Sequence, residues 1–238
     1  MGDKKIKVIF LLAESAIEPI PKNLNIPKRL QEKTFGILDA TYHHKYMRNS
    51  LSYAFKRGRP DILHRALLTI LDSPLIRNYV TQKETVNYSV KIYIHTINNE
   101  LSLVNPELRI PRHYIRFLGV MSKFFEKKVI ISNEGETLIT SLKLNIGNFL
   151  DIYSKSEAFI VGYTTLGQPI KDLTAYIINK LDQYTTLINV VGGFPKGHFS
   201  SSLSSYFNDK ISISSFPLSA SLTLCHIIIA LEKALKIF

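Results

Sequence analysis

The chain has 238 residues, of which 45% are hydrophobic, 11% aromatic and 21% charged. This balance excludes a disordered, collagen-like or low-complexity protein and leaves enough apolar side chain for one sizeable core. Thirty Lys and Arg against nineteen Asp and Glu give a formal charge of +11, which argues for an acidic partner. The single cysteine, Cys225, excludes a disulfide framework and a Cys-based zinc site, fits a reducing compartment, and reads as a buried, inert residue within a Leu- and Ile-rich run.

In chain order, Lys7 to Ala13 is a short apolar run closed by Glu14. It is too short for the apolar part of a secretory signal and reads as a buried first strand. The stretch from His43 to Arg65 carries Lys45, Arg48, Lys56, Arg57, Arg59 and Arg65 against Asp61 alone, a net +5. Pro60 opens a helix predicted over Pro60 to Leu71, because proline at the first helical position has no amide hydrogen to waste and the right φ. Its core stripe is Ile62, Leu63, Ala66, Leu67, Ile70 and Leu71, with Asp61 placed to meet the positive end of the helix dipole.

Val90 to Thr96 reads as a second buried strand. A second basic stretch, Asn105 to Lys128, has Arg109, Arg112, Arg116, Lys123, Lys127 and Lys128 against Glu107 and Glu126, a net +4, so the two stretches supply +9 of the +11. A helix predicted over Pro111 to Glu126 puts Arg112, Arg116 and Lys123 on one face and Tyr114, Ile115, Leu118, Met121 and Phe125 on the other. Arg109 extends this ridge into the preceding loop. The ridge is either an ordinary solvated face or a nucleic-acid surface; arginines lacking acidic residues at helical spacing, and arginine's fit to phosphate and base edges, point to the second.

Ile130 to Leu144, with its Asn133-Glu134-Gly135-Glu136 turn, reads as a hairpin inserted in an alternation of strands (Ala158 to Tyr163, Leu187 to Val191) and helices (Ile170 to Leu181, Ser219 to Lys236). The alternation predicts an α/β fold built on a parallel sheet with helices on both faces, and one extended domain over 1–238 with the insertion around 130–145. Gly192-Gly193-Phe194-Pro195-Lys196-Gly197 follows a late strand at the end where open sheets bind ligands, yet it matches neither Gly-x-Gly-x-x-Gly nor a P-loop. It is either a tight turn or half of a backbone-rich clamp completed by the small-residue loop from Lys210 to Ser221. The run from Ile211 to Leu231 holds five serines, Pro217 and His226, so it reads as a loop and a core helix and no membrane segment is expected. The histidines show no ligand spacing: no metal is expected, and His43-His44 and His95 read as loop and strand residues. No Gly-x-Ser-x-Gly element points to a serine nucleophile.

Taken together, Arg59-Pro60-Asp61-Ile62, Asp72-Ser73-Pro74-Leu75, Tyr93-Ile94-His95-Thr96, Arg109-Ile110-Pro111-Arg112 through Arg116-Phe117, the loop from Val191 to Gly197 and Pro217-Leu218-Ser219-Ala220 resemble the archaeal and eukaryotic ribosomal RNA pseudouridine N1-methyltransferases of the SPOUT superfamily. The resemblance runs in order over nearly the whole chain. It implies a SPOUT α/β fold with a C-terminal trefoil knot, a homodimer, and S-adenosyl-L-methionine held by Thr165, Gly192, Gly197, Leu218, Ser219, Ala220, Ser221, Leu222 and Thr223. It implies RNA contacts at Arg59, Arg109, Arg112 and Arg116, and catalytic positions at Arg59 and Asp61. Gly193-Phe194-Pro195-Lys196 departs from the family's usual filling of that loop. The activity implied is methylation of a pseudouridine at N1 in small-subunit ribosomal RNA during ribosome biogenesis, in the cytoplasm of an archaeal-like cell or the nucleolus of a eukaryote, with ribosomal proteins as further partners. The competing reading is a non-catalytic RNA-binding assembly factor with the same basic surface.

Asp61 has three open roles: general base for the N1 hydrogen, brace for Arg59, or a first-turn carboxylate stabilising its helix.

Overall fold

The computed structural model describes residues 5–48, 50–154 and 157–237. At its centre lies β1 (Ile6–Ser15). A strand that is apolar at successive positions is satisfied only with both faces covered, and Val8 to Ala13 are fully buried. β1 pairs in parallel with β2 (Tyr88–Thr96) on one side and with β7 (Thr186–Gly192) on the other. β6 (Ala158–Pro169) and β8 (Asp209–Ser212) extend the parallel part outward from β7.

Beyond β2 the sheet turns antiparallel through β3 (Leu101–Val104), β5 (Thr137–Leu142) and β4 (Val129–Ile131), giving eight strands in the order β4-β5-β3-β2-β1-β7-β6-β8. On sequence alone the hairpin interrupts the alternation; in the structure β3 pairs with both β2 and β5 and makes the hairpin the end of one mixed sheet. β3 carries no sequence signal because four residues are too few to show a period.

Helices cover both faces. Val8, Phe10 and Leu12 belong to the larger apolar cluster, which gathers α3 (Pro60–Leu71), α4 (Pro74–Thr81), α5 (Tyr114–Lys127), α7 (Leu173–Gln183) and α9 (Ala220–Ala234). Ile9, Leu11 and Ala13 face the opposite way, against α6 (Ile146–Ser154) and the single turn α8 (Ser201–Ser204). Each leucine-sized side chain so buried contributes ~1.5–3 kcal/mol. α1 (Lys28–Glu32) and α2 (Ala40–Met47) lie in the long connection from β1 to α3, where Leu24, Ile26, Leu38 and Met47 form a small separate cluster.

α3 has the predicted bounds. α5 instead begins three residues after Pro111: His113 is its extended N-terminal cap, and the Pro111 carbonyl lies 2.7 Å from Nε2 of His64 on α3, fixing the segment before it as a loop. Asp172 caps α7 by accepting from the Ala175 amide, which moves that helix start past Ile170. His43 and His44 lie on α2, not in a loop, and the buried His43 ring accepts from the Asp39 amide at 3.0 Å. Cys225 is exposed, contrary to the reading of it as buried. α9 is apolar around most of its circumference, but its contacts reach only the side of Leu224, Ile227, Ile228 and Leu231, leaving Leu222, Cys225 and Ile229 outside. Among the described residues no helix is long and apolar enough to cross a membrane.

Candidate functional site

The carboxyl ends of β6, β7 and β8 surround a cavity of about 580 Å³, where open α/β sheets leave room for a ligand and within the ~300–1,000 Å³ of small-molecule sites. Tyr163 to Thr165 of β6, the β7 end with the loop from Phe194 to Phe199, and the segment after β8 form its walls, and the start of α3 closes it with Arg59 at the cap, Asp61 on the first turn and Arg65 on the second. The segment from Lys210 to Ser221 is not a loop throughout, since it opens on β8.

Thr165, Gly192, Gly197, Leu218, Ser219, Ala220, Ser221 and Thr223 all line the cavity, as do Arg59 and Asp61. Leu222 does not, and is 45% exposed. Ser219 accepts from the Leu222 amide as the cap of α9, and the helical turn this starts carries Leu222 outward while Thr223 turns in. The small residues are needed where they stand. A β-carbon on Gly192 would come within 2.8 Å of the Phe194 ring, and Gly197, at φ +91°, would place one 3.2 Å from the Phe55 ring.

The loop from Phe194 to Phe199 is anchored by residues the sequence reading passed over. Lys56 Nζ lies 2.7 Å from Glu14 Oε2 and also donates to the His198 carbonyl, while Glu14 Oε1 accepts from the Ser200 amide at 2.8 Å. The ammonium sits 4.4 Å from the centre of the Phe194 ring. Glu14 adopts a left-handed φ of 49°, rare for a side-chain-bearing residue, just where β1 ends. Burial works against its charge, but the hydrogen bonds from Lys56 and Ser200 prevail and hold its carboxyl below the ordinary value. The only trace of this in the sequence is a glutamate closing an apolar strand.

Much of the first basic stretch is neutralised internally. Besides Lys56, Arg57 grips the buried Glu18 through a two-pronged ion pair, Nε to Oε1 at 2.7 Å. Arg59 grips Asp61 in the same way, at 2.7 Å and 2.8 Å. Burial tends to raise the Asp61 carboxyl, yet its bond and proximity to Arg59, with Arg65 nearby, keep it below the usual range. Lys45, Arg48 and Arg65 remain exposed.

Arg109 and Arg116 are exposed, but Arg112 precedes α5 and its Nη2 lies 3.0 Å from Asp72 Oδ2 at the end of α3. Helical spacing could not reveal that partner, because it lies on another element. None of the three lines the cavity; the contact of Pro111 with His64 sets the loop of Arg109 and Arg112, and the start of α5 that bears Arg116, beside α3, whose cap and first turn carry Arg59 and Asp61.

A mixed sheet with a small-molecule cavity at the ends of its parallel strands, edged by arginines, defines an α/β protein equipped for a compact ligand and an acidic macromolecule. Comparison with known proteins narrows this class. Residues 10–232 match the family described as EMG1/NEP1 methyltransferase, and the chain belongs to that family. Among similar proteins is the ribosomal RNA small subunit methyltransferase Nep1 of Saccharolobus solfataricus, 32% identical over 95% of this chain and 97% of that one. The protein of the same name from Methanothrix thermoacetophila is 34% identical over 87% of each chain. The crystal structure of Archaeoglobus fulgidus Nep1 bound to S-adenosylhomocysteine superposes with a TM-score of 0.76 at 25% identity, over 96% of this chain and 98% of that one.

Proposed function

We propose that this protein transfers a methyl group from S-adenosyl-L-methionine to N1 of a pseudouridine in small-subunit ribosomal RNA, as a step in ribosome biogenesis. The observation that carries the reading is the cavity: eight of the nine positions anticipated for the cofactor line it, together with Arg59 and Asp61. The relatives' names specify small-subunit ribosomal RNA, and the Archaeoglobus protein holds the demethylated form of the same cofactor.

The residues present fit that cofactor. Glycine backbone and the hydroxyls of Thr165, Ser219, Ser221 and Thr223 offer close approach and polar partners for an adenosine, beside the apolar Val191, Ile213 and Leu218. When bound, S-adenosyl-L-methionine supplies an electrophilic methyl group. The chain's own task is alignment and exclusion of water, because an in-line displacement depends on the approach of the nitrogen. Arg59, braced by Asp61, presents its remaining donors to RNA at the cavity edge, and Arg109, Arg112 and Arg116 hold the phosphates of the loop that delivers the base. Arg59 holds the Asp61 carboxyl below its usual range, which weakens it as a base and favours the bracing role; the N1 hydrogen leaves to solvent at the open edge of the cavity. The target base stands in an unpaired loop, turned out of any stack.

Two further features belong to the proposal. The C-terminal segment, passing from β8 at the sheet edge back to α9 beneath α3, is threaded as a trefoil knot. The chain works as a homodimer, for which the outward stripe of Leu222, Cys225 and Ile229 on α9 is a fitting contact. The test is methyl transfer from labelled S-adenosyl-L-methionine to two stem-loop RNAs of one sequence, with pseudouridine or uridine at the target. Label in the pseudouridine RNA alone is expected. Binding of S-adenosylhomocysteine without transfer to either RNA overturns the catalytic reading, and failure to bind it at all returns the protein to the assembly-factor class.

A further inference from the structure

The residues just before Arg59 carry two large aromatic side chains that the core does not use. Tyr53 is 67% exposed and Phe55 53%. Their rings meet edge to face, with centres 6.1 Å apart. Exposed aromatics on a soluble domain are usually scattered; a pair in contact marks a surface that something covers.

The mount beneath them is rigid. Tyr53 takes a left-handed φ of 52° and its carbonyl accepts from the Lys56 amide at 2.8 Å, closing the one-turn 3-10 helix Ala54–Lys56. Lys56 and Arg57 are then pinned from below by Glu14 and Glu18. The Gly58 carbonyl accepts from the Ala40 amide at 2.8 Å, and the Arg59 amide donates to Ala16 at 2.9 Å. Neighbouring side chains of one short segment therefore do opposite things: the cations Lys56 and Arg57 are drawn into buried ion pairs and the rings of Tyr53 and Phe55 are held out. A flexible loop would lose such rings to the nearest apolar surface.

Their position relates them to the site. The Phe55 ring lies where any β-carbon on Gly197 would meet it, and Gly197 is part of the cavity wall. Charged side chains lining the cavity are Arg59, Arg65 and Lys196 against Asp61. Flat apolar faces interleaved with cations fit unpaired nucleotides, whose bases stack on aromatic rings while their phosphates meet the cations. An apolar protein partner fits this charge less well.

We propose that Tyr53 and Phe55 form a stacking platform for unpaired RNA bases adjoining the one that enters the cavity. The platform rests on the RNA-methylation reading above and assigns positioning residues to it. Stacking is tolerant of base identity, so the platform holds the loop in place without reading its sequence.

The test uses the full chain, a stem-loop RNA with an unpaired loop, and a fully paired RNA of the same length. Tyr53→Ala/Phe55→Ala should weaken stem-loop binding roughly tenfold to a hundredfold, leave its salt dependence unchanged because no cation is lost, and leave duplex binding and S-adenosylhomocysteine affinity as they were. Phe55→Trp should retain stem-loop affinity, which a merely structural role would not predict for a larger ring. Unchanged stem-loop binding by the double variant overturns the platform while leaving the methylation reading intact. A variant that changes oligomeric state instead shows a contact between protein chains, and also overturns it. Failure of the unaltered protein to bind the stem-loop removes the methylation reading and the platform together.

Discussion

Lys56 and Glu14 are 42 positions apart in the chain, yet their charged atoms meet at 2.7 Å with 10% and 6% of their side chains exposed. The pair joins the end of the central strand to the loop that walls the cavity, because Lys56 also holds the His198 carbonyl and Glu14 the Ser200 amide. A buried ion pair is weak evidence of net stability, but removing one partner is costly because the other stays buried and charged.

Glu14→Gln and Lys56→Met should each lower stability by about 3–5 kcal/mol, a Tm loss on the order of 10 °C for a domain of this size. Glu14→Leu with Lys56→Met should recover much of the Tm but leave the loop untied, so S-adenosylhomocysteine affinity stays low. Calorimetry of both properties checks this; an apolar pair with full affinity would show that the tie is not needed for binding.

Acid should unfold the two forms differently. Glu14 is more acidic in the folded protein than the ordinary value of 4.5, so its stabilising contribution is complete above that pH and is lost as pH falls through the lower folded value. Between neutral pH and about pH 5 the gap in stability between the natural protein and Glu14→Gln should stay constant, and below it the gap should narrow. Denaturant midpoints taken at several pH values measure the gap directly.

Gly192→Val and Gly197→Val should both abolish cofactor binding, with different effects on the fold. At Gly192 the clash is with the Phe194 ring, whereas at Gly197 the backbone itself, at φ +91°, resists a side chain. Gly197→Val should therefore lose more Tm, and Gly197→Ala should also lose about 1 kcal/mol or more. Normal S-adenosylhomocysteine binding by either valine variant would mean that the ligand lies elsewhere.

Asp61→Asn separates brace from base. The Arg59–Asp61 pair is partly exposed, at 42% and 25% of the side chains, so its loss should change stability by less than about 1 kcal/mol. Its main effect should be weaker RNA binding, with methyl transfer largely restored at saturating RNA. A fall of ~10²–10⁴-fold in single-turnover transfer at saturation would instead identify Asp61 as the base.

Alanine at Arg109 or Arg116 should weaken RNA binding across sequences and reduce the salt slope by roughly one counterion each. Arg112→Ala should do the same with little change in Tm, since its bond to Asp72 is exposed. Full-strength RNA binding by the triple variant would remove this surface from the interface.

What one segment can say for itself was legible. β1, β2, β6 and β7 follow from short runs of apolar, β-branched residues, and α3 from Pro60 and its apolar stripe. The ligand end of the sheet follows from glycines after a late strand, with the family resemblance marking the cavity residues. These signals are local: period, helix caps and turn chemistry act over a few neighbouring residues. The tertiary structure decided what depends on distant partners. Thr223 turns inward and Leu222 outward because of where α9 meets the sheet, β3 exists because β2 and β5 flank it, and Cys225 is exposed because the surrounding helices reach only one side of α9. The charge count misled for the same reason. Lys56 and Arg57 look like a free basic surface in the sequence, but folding brings Glu14, at the end of β1, and Glu18, just beyond that strand, under them, whereas the Arg59–Asp61 pair, two residues apart, was open to view. Coulomb attraction depends on separation in space and on loss of water around the pair, and neither can be read from position along the chain.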